Sequence, residues 1–306
     1  MRGATLALAA LAITSVGAAS SEAQSPPPGA SPGGPPAGAA APGGLAGGGP
    51  NAPPNLFNAP HRLARSPLRQ QWVYIPQAGK PPLRTFIIEP AGEGPAPVVI
   101  FMHYDAGLDP VQQGLVAALA TNGFMVVAPD LLSGLGPDGG NYDSFAFPDA
   151  ALRAMLKVPL AEAMRQYKLA HSYAARLPRA GKIGSFGSGV GGAHSFQFAA
   201  EMPELGAAVV YYGLPPRNAD LAKVRAPVLG LYGGDDPAVT GTVEATAATM
   251  KTLGKSYEAH TYPGATRSFL TYAVEGENGP ATAASWARAL AFLKSQLTNQ
   301  PGRPGQ

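Results

Sequence analysis

Residues 183–193 read Ile183-Gly184-Ser185-Phe186-Gly187-Ser188-Gly189-Val190-Gly191-Gly192-Ala193. An apolar strand runs into a glycine-rich turn, and a helix follows. Only one register places glycines two before and two after a central residue: Gly187-Ser188-Gly189-Val190-Gly191. In a strand–turn–helix of the Gly-x-nucleophile-x-Gly kind, the central residue carries the reactive atom. Here that residue is Gly189, which has no side chain. The stretch predicts an elbow between sheet and helix, and it questions whether that elbow does chemistry.

Outward from this turn, strands and helices alternate. Residues 182–186 read as the strand and 191–200 as the helix behind it. Upstream, 97–102 (PVVIFM) is a continuous apolar run, the pattern of a central parallel strand buried on both faces. A helix over 110–121 follows, with Asp109 as N-cap and Pro110 at the first helical position, and Gly123 stops it. Residues 124–128 form the next strand. Before them, 71–75 and 83–88 flank Gly79-Lys80-Pro81-Pro82 and read as a leading hairpin. Residues 146–176 read as mostly helical, with Leu160, Met164, Tyr167 and His171 at helical spacing. Strands at 206–211, 228–232 and 257–262 and helices at 243–253 and 281–297 complete the chain. Alternation of this length predicts a doubly wound, mostly parallel α/β sheet flanked by helices. Ligands of such sheets sit beyond the carboxyl ends of the strands, in loops that begin here at His103, Asp130, Gly187, Tyr212, Gly233 and Pro263.

Six segments in that order resemble the dienelactone hydrolase family of the α/β-hydrolase superfamily. They are VVIFMHYDAGLDP (98–110), GFMVVAPDLLSG (123–134), KIGSFGSGVGGA (182–193), AAVVYYGLPP (207–216), APVLGLYGGDDPAV (226–239) and YEAHTYPGATRSF (257–269). The resemblance covers roughly residues 73–297 and implies an α/β-hydrolase fold acting on esters or lactones without a cofactor. That family usually places a cysteine in Gly-x-Cys-x-Gly-Gly, and the matching position here is Gly189. Its aspartate, in a pattern like Gly-x-x-Asp-Pro, falls on Asp236. Its histidine, in Tyr-Pro-Gly-Ala-x-His-x-Phe, falls on Arg267. Its glutamate, in His/Gln-Glu-x-x-Gly-Leu, falls on Tyr104. Three of the four chemical groups are replaced.

Each replacement is costly for catalysis. Glycine offers no attacking atom, and arginine stays protonated and cannot act as a base. Removing any triad member leaves only the weak catalysis of the oxyanion hole and of binding. Ser188 adjoins Gly189, but neighbouring side chains diverge at a sharp turn, so a local bond to backbone is expected of it. Ser185 is expected to be buried on its strand, and His194 to lean on the sheet from its helix. His103, at the end of the first central strand, stands between facing a ligand and a structural role. Asp105 lies beside it, and these two potential ligands lack the third that a metal site needs. The Val190 amide and the turn after the first central strand are expected to keep the donors of an oxyanion hole. Asp236 reads either as a vestigial catalytic carboxylate or as turn chemistry in Gly-Gly-Asp-Asp-Pro. Arg267 either adds a positive charge for a carboxylate ligand or pairs with Asp236. The elbow glycines lack both Gly-x-Gly-x-x-Gly spacing and a following Gly-Lys-Ser/Thr, so no nucleotide cofactor is implied.

The formal net charge is +3, with 22 basic residues scattered along the chain, a pattern that argues against nucleic-acid binding. The N-terminus has another character. Met1-Arg2 precedes a run of small apolar residues from Ala4 to Ala19, and Ser21-Glu22-Ala23 suits a signal peptidase. Residues 1–23 are therefore expected to be a signal peptide rather than a membrane anchor, because the run is short and alanine is weakly apolar. Stable membrane insertion is not expected, and the mature protein should be periplasmic or secreted. There is no cysteine, hence neither a disulfide nor a lipid attachment through one. Residues 24–59, almost entirely Pro, Gly, Ala and Ser, read as a disordered spacer. Residues 60–298 form the folded domain, and 299–306 a flexible tail. Three functions remain open: an impaired hydrolase relative that binds a small ester, lactone or carboxylate; an active hydrolase with another nucleophile; and a structural module of the envelope. Mass spectrometry of the exported protein should give a chain beginning at Gln24; one that retains Met1 would overturn the export reading.

Overall fold

Successive residues of a strand point to opposite faces of a sheet, and in this chain both faces of the central strands are apolar. The computed structural model describes residues 58–271 and 279–298. The expectations placed on residues 1–57 and 299–306 lie outside those residues. In chain order the elements are α1 (Ala59–Arg65), β1 (Gln70–Gln77), β2 (Lys80–Ile88), β3 (Ala96–Met102), α2 (Pro110–Thr121) and β4 (Met125–Pro129). Then come α3 (Pro148–Met155), α4 (Leu160–Ala174), β5 (Ala180–Ser188), α5 (Val190–Glu201), β6 (Ala208–Tyr211) and the short α6 (Asn218–Leu221). The chain continues through β7 (Val228–Gly233), the short α7 (Pro237–Thr240), α8 (Val243–Thr252), β8 (Tyr257–Tyr262) and α9 (Gly279–Thr298).

The strands form one sheet in the order β1-β2-β4-β3-β5-β6-β7-β8. Strand β2 runs antiparallel to both its neighbours, and every pair from β4 to β8 is parallel. Val98, Ile100 and Met102 of β3 pack with Tyr167 of α4, Phe196 and Phe198 of α5 and Met250 of α8. Val99 and Phe101 face the other way, toward Leu115 of α2 and Trp286 and Leu293 of α9. There Phe101 stacks on Phe186 at 5.7 Å, and Trp286 meets Phe186 edge-on at 6.0 Å. The doubly wound, mostly parallel architecture is the one that the strand–helix alternation implies.

Tertiary pairing moved several boundaries. The strand read at 182–186 extends to Ser188, because Gly187 and Ser188 pair with Val210 and Tyr211 of β6. The helical stretch at 146–176 is two helices, interrupted before Leu160 by Pro159, which has no N–H to donate. Asp109 does cap α2, accepting the Gln112 N–H at 2.8 Å.

Arg84 ties the leading hairpin to the loop after β4. Its guanidinium lies 3.5 Å from the centre of the Trp72 ring, a cation–π contact. It donates to Asn141 at 2.8 Å and to Asp143 at 2.5 Å, and it stands 3.7 Å from Asp130. Asp130 is fully buried and accepts the N–H groups of Leu132 and Tyr142, at 3.0 and 3.1 Å. Burial holds its carboxyl above the usual range, against the opposing pull of its backbone N–H donors and of Arg84. Arg84→Leu should therefore destabilise the fold by about 3–5 kcal/mol in a denaturant titration, the cost of leaving a buried charge unpaired. The folded-state pKa of Asp130 is raised and would rise further without the cation. The variant's deficit should thus be full at neutral pH and shrink as pH falls through the raised value. A deficit that grows on acidification would contradict this account.

Candidate active site

Strand β5 ends at Ser188, and the chain turns at Gly189 with φ 59° and ψ −121° before α5 begins at Val190. The Gly189 N–H donates to the Tyr211 carbonyl at 3.0 Å, and its own carbonyl accepts from Ala193 at 3.0 Å. This pins the turn to β6 on one side and to the first turn of α5 on the other. The flanking glycines are there for closeness. A β-carbon on Gly191 would lie 2.0 Å from the Met102 carbonyl oxygen, and one on Gly187 2.0 Å from that of Gly191. One on Gly192 would lie 2.4 Å from the Tyr211 oxygen. Gly189 is the opposite case. A β-carbon there would meet only Tyr104 and Tyr212, both at 3.9 Å, which is ordinary contact. The turn has room for a side chain, and its backbone is the only obstacle to one.

Tyr104 and Tyr212 are thus the nearest walls of the elbow. Tyr212, itself at φ 40°, is buried, and its hydroxyl lies 3.2 Å from that of Thr271. The sequence marks Tyr212 only as the start of a site loop; its place as a wall of the elbow follows from the fold. Tyr104, at the position of the family's glutamate, donates to Asp109 at 2.5 Å, on the carboxylate oxygen opposite the one that caps α2. Burial raises the pKa of Asp109, while these hydrogen bonds oppose the shift.

His103 is held by backbone groups at both ring nitrogens. It is fully buried; Nδ1 donates to the Tyr104 carbonyl at 2.9 Å, and Nε2 accepts the Leu131 N–H at 3.3 Å. With one nitrogen donating and the other accepting, the ring is neutral, and burial depresses its pKa. Asp105 is half-buried in the same turn and makes no hydrogen bond or ion pair among the described residues. Ser188 also departs from expectation: its hydroxyl is buried and bonds to no backbone group. As the last strand residue it points into the interior, so no local acceptor is in reach. Ser185, buried as expected, shares a 2.8 Å hydrogen bond with Ser195. His194 meets the Tyr167 hydroxyl at 3.3 Å, and burial pushes its pKa down to about 4. His260 is 2.6 Å from Glu258 on β8.

The β7 and β8 loops bring the other two site positions together. Gly234 donates to the Tyr262 carbonyl at 2.8 Å and Asp235 to that of Ala265 at 3.0 Å. This seats Asp236, 6 % exposed, beneath Arg267, whose Nε is 3.5 Å from Asp236 Oδ2. The Arg267 side chain is 73 % exposed, so solvent screens the pair and its contribution is about 0–1 kcal/mol. Val190, at the start of α5, is 36 % exposed. Its N–H is one of those that an α-helix leaves without an intrahelical partner. Among the described residues no cluster of three or more His, Asp or Glu could hold a metal ion, and no helix is long and apolar enough to cross a membrane.

A parallel sheet whose central strand enters a helix through this positive-φ turn, with an acid after β7, defines the α/β-hydrolase fold. Residues 83–297 match the Dienelactone hydrolase family, and the chain belongs to it. Two relatives carry the name "Putative carboxymethylenebutenolidase". The one from Escherichia coli is 28 % identical over 66 % of this chain and 78 % of its own length. The one from Saccharolobus solfataricus is 33 % identical over 37 % of this chain, a match that spans less than half, 44 %, of that relative. Among solved structures, a "Putative Dienelactone Hydrolase" from Klebsiella pneumoniae matches with a TM-score of 0.65 at 25 % identity, over 74 % of this chain and 98 % of that one. The dienelactone hydrolase from Anabaena variabilis shares the fold, with a TM-score of 0.59 at 22 % identity over 75 % of this chain and 99 % of that one.

Because the space at Gly189 is open and only its backbone resists, Gly189→Cys should fold and lose about 1–3 kcal/mol of stability. Gly191→Ala, which drives a β-carbon into two carbonyl oxygens, should lose considerably more. In p-nitrophenyl acetate turnover, Gly189→Cys and Arg267→His should each gain little. Together with Asp236 they restore a Cys-His-Asp line, and the double variant should exceed the product of the single gains by on the order of tenfold. Strict additivity would show that the two positions do not face each other.

Proposed function

We propose that this protein is an exported member of the dienelactone hydrolase family whose hydrolase activity is impaired or lost. Its vacated elbow serves as a binding site for a small carboxylate, ester or lactone. One observation carries the reading: the turn keeps the geometry and the space of a nucleophile position, and the residue there is Gly189. The companion base position is Arg267, a permanent cation beside the acid that a catalytic histidine would need. What remains suits binding, with the Val190 amide at the head of α5 and a guanidinium above Asp236. Export rests on the character of residues 1–23 and on the Pro/Gly-rich stretch that follows them.

A second reading, an active ester or lactone hydrolase with another nucleophile, is favoured by one contact. The Tyr104 side chain borders the elbow and its phenol donates to the Asp109 carboxylate. A phenol hydrogen-bonded to a carboxylate is a nucleophile with a base attached. Turnover of p-nitrophenyl acetate by the purified mature chain separates the two. The first reading expects turnover no faster than buffer, and calorimetric binding of small carboxylates that weakens in Arg267→Ala. The second expects turnover that Tyr104→Phe abolishes. Turnover lost in Ser188→Ala instead would refute the first reading and move the nucleophile of the second from Tyr104 to Ser188.

A further inference from the structure

A cavity of about 770 Å³ opens on the opposite flank of the sheet's carboxyl edge, between the β1–β2 turn, residues 133–135 after β4, and helices α3 and α4. From β2 to β5 is three strands in the sheet order. At strand spacing that is roughly 14 Å from the elbow, and no elbow residue lines the cavity. Its size falls within the range of small-molecule sites. Leu135, Phe145, Ala154 and Val158 make apolar walls, and Leu135 is 51 % exposed at the mouth.

Two polar features break this apolar lining. The side chains of Arg153, in α3, and Lys157, just past its end, border the cavity and make no ion pair or hydrogen bond among the described residues. The only carboxylate in the lining, Glu162, cannot neutralise them. It already holds Lys80 at 2.8 Å, Arg165 at 2.7 Å and the Gln166 amide at 3.1 Å, and these partners keep it ionised, with its pKa far below the usual range. The second feature is Gln166, the most buried of the lining residues at 4 % exposed. Its Nε2 donates to Glu162, which settles the orientation of the amide, and its Oε1 is buried without a donor. A buried acceptor without a partner, set in a cavity wall, calls for a hydrogen-bond donor from whatever fills that cavity.

We propose that this cavity binds a small acidic amphiphile, a hydroxylated aliphatic carboxylate. Its chain lies against Leu135, Phe145, Ala154 and Val158, its carboxylate meets Arg153 and Lys157, and its hydroxyl donates to Gln166 Oε1. The site is separate from the elbow and does not depend on what the elbow binds.

Calorimetric titration of the mature chain with 3-hydroxydecanoate and with decanoate, both below micellar concentration, tests it. Both should bind saturably, the hydroxylated acid about fivefold or more tighter, for one added hydrogen bond to a buried acceptor. The exposed pair Arg153→Ala/Lys157→Ala, which leaves the core untouched, should weaken both by about tenfold. Gln166→Leu should erase the preference while retaining decanoate. Arg267→Ala at the elbow should change neither. Absence of saturable binding, equal affinities in the parent, indifference to the double alanine variant, or loss in Arg267→Ala would each overturn the proposal.

Discussion

Everything at the carboxyl edge of this sheet depends on how closely the head of α5 lies against β3 and β6. Gly191 faces the carbonyl oxygens of Met102 and His103, and Gly192 faces that of Tyr211. Across the contact, a β-carbon on Gly213 would lie 2.2 Å from the Ala193 nitrogen. Backbone packed on backbone without side chains fixes the helix to within a few tenths of an ångström. The preceding residue has no freedom left, and the turn must pass through positive φ at Gly189. The same packing buries His103 and ends β5 at Ser188 with its hydroxyl inside.

This division of labour among the glycines explains how the centre of the turn can be occupied by a residue without a side chain. Gly187, Gly191 and Gly192 answer a steric requirement of the scaffold. Gly189 answers none, and replacing a side chain by glycine there relieves backbone strain of about 1–3 kcal/mol. Glycine at this turn therefore leans toward stability, in keeping with the general opposition between backbone strain and a stable fold. Arg267 costs the scaffold equally little, because it sits in solvent above Asp236. The contacts that hold the helix and the residue at the centre of the turn are separable in this chain because different atoms carry them.

Electrostatics at the opposite flank follow another pattern. Arg84, Asp130 and His103 are buried together, and each has its hydrogen bonds met by neighbouring loops. A network of this kind holds loops in place, because any member left alone would carry an uncompensated charge or dipole. Arg153 and Lys157 lie outside it, on the rim of an apolar cavity whose acid already serves three other donors. The contrast between satisfied and unsatisfied polar groups separates the parts of this edge that maintain the fold from the part that offers a ligand something to bind.

The sequence by itself determined the sheet, its winding, the helices on each face and the position of the elbow. Those follow from local periodicity, from proline and glycine placement, and from the order of six loop segments. Gly189, Asp236 and Arg267 were legible because a missing side chain and a permanent cation are chemical facts that need no geometry. The tertiary structure alone decided what the neighbouring groups do. His103 and Tyr104 are adjacent in the chain, yet one is buried between two backbone groups and the other reaches Asp109. Ser188, a plausible hydroxyl on paper, faces the interior with no acceptor. Tyr212 becomes a wall of the elbow, and Gln166 of a distant cavity, through contacts between segments far apart in sequence. Burial, tautomer and hydrogen-bond partner are properties of an environment assembled from several elements at once, and no single stretch of residues contains it.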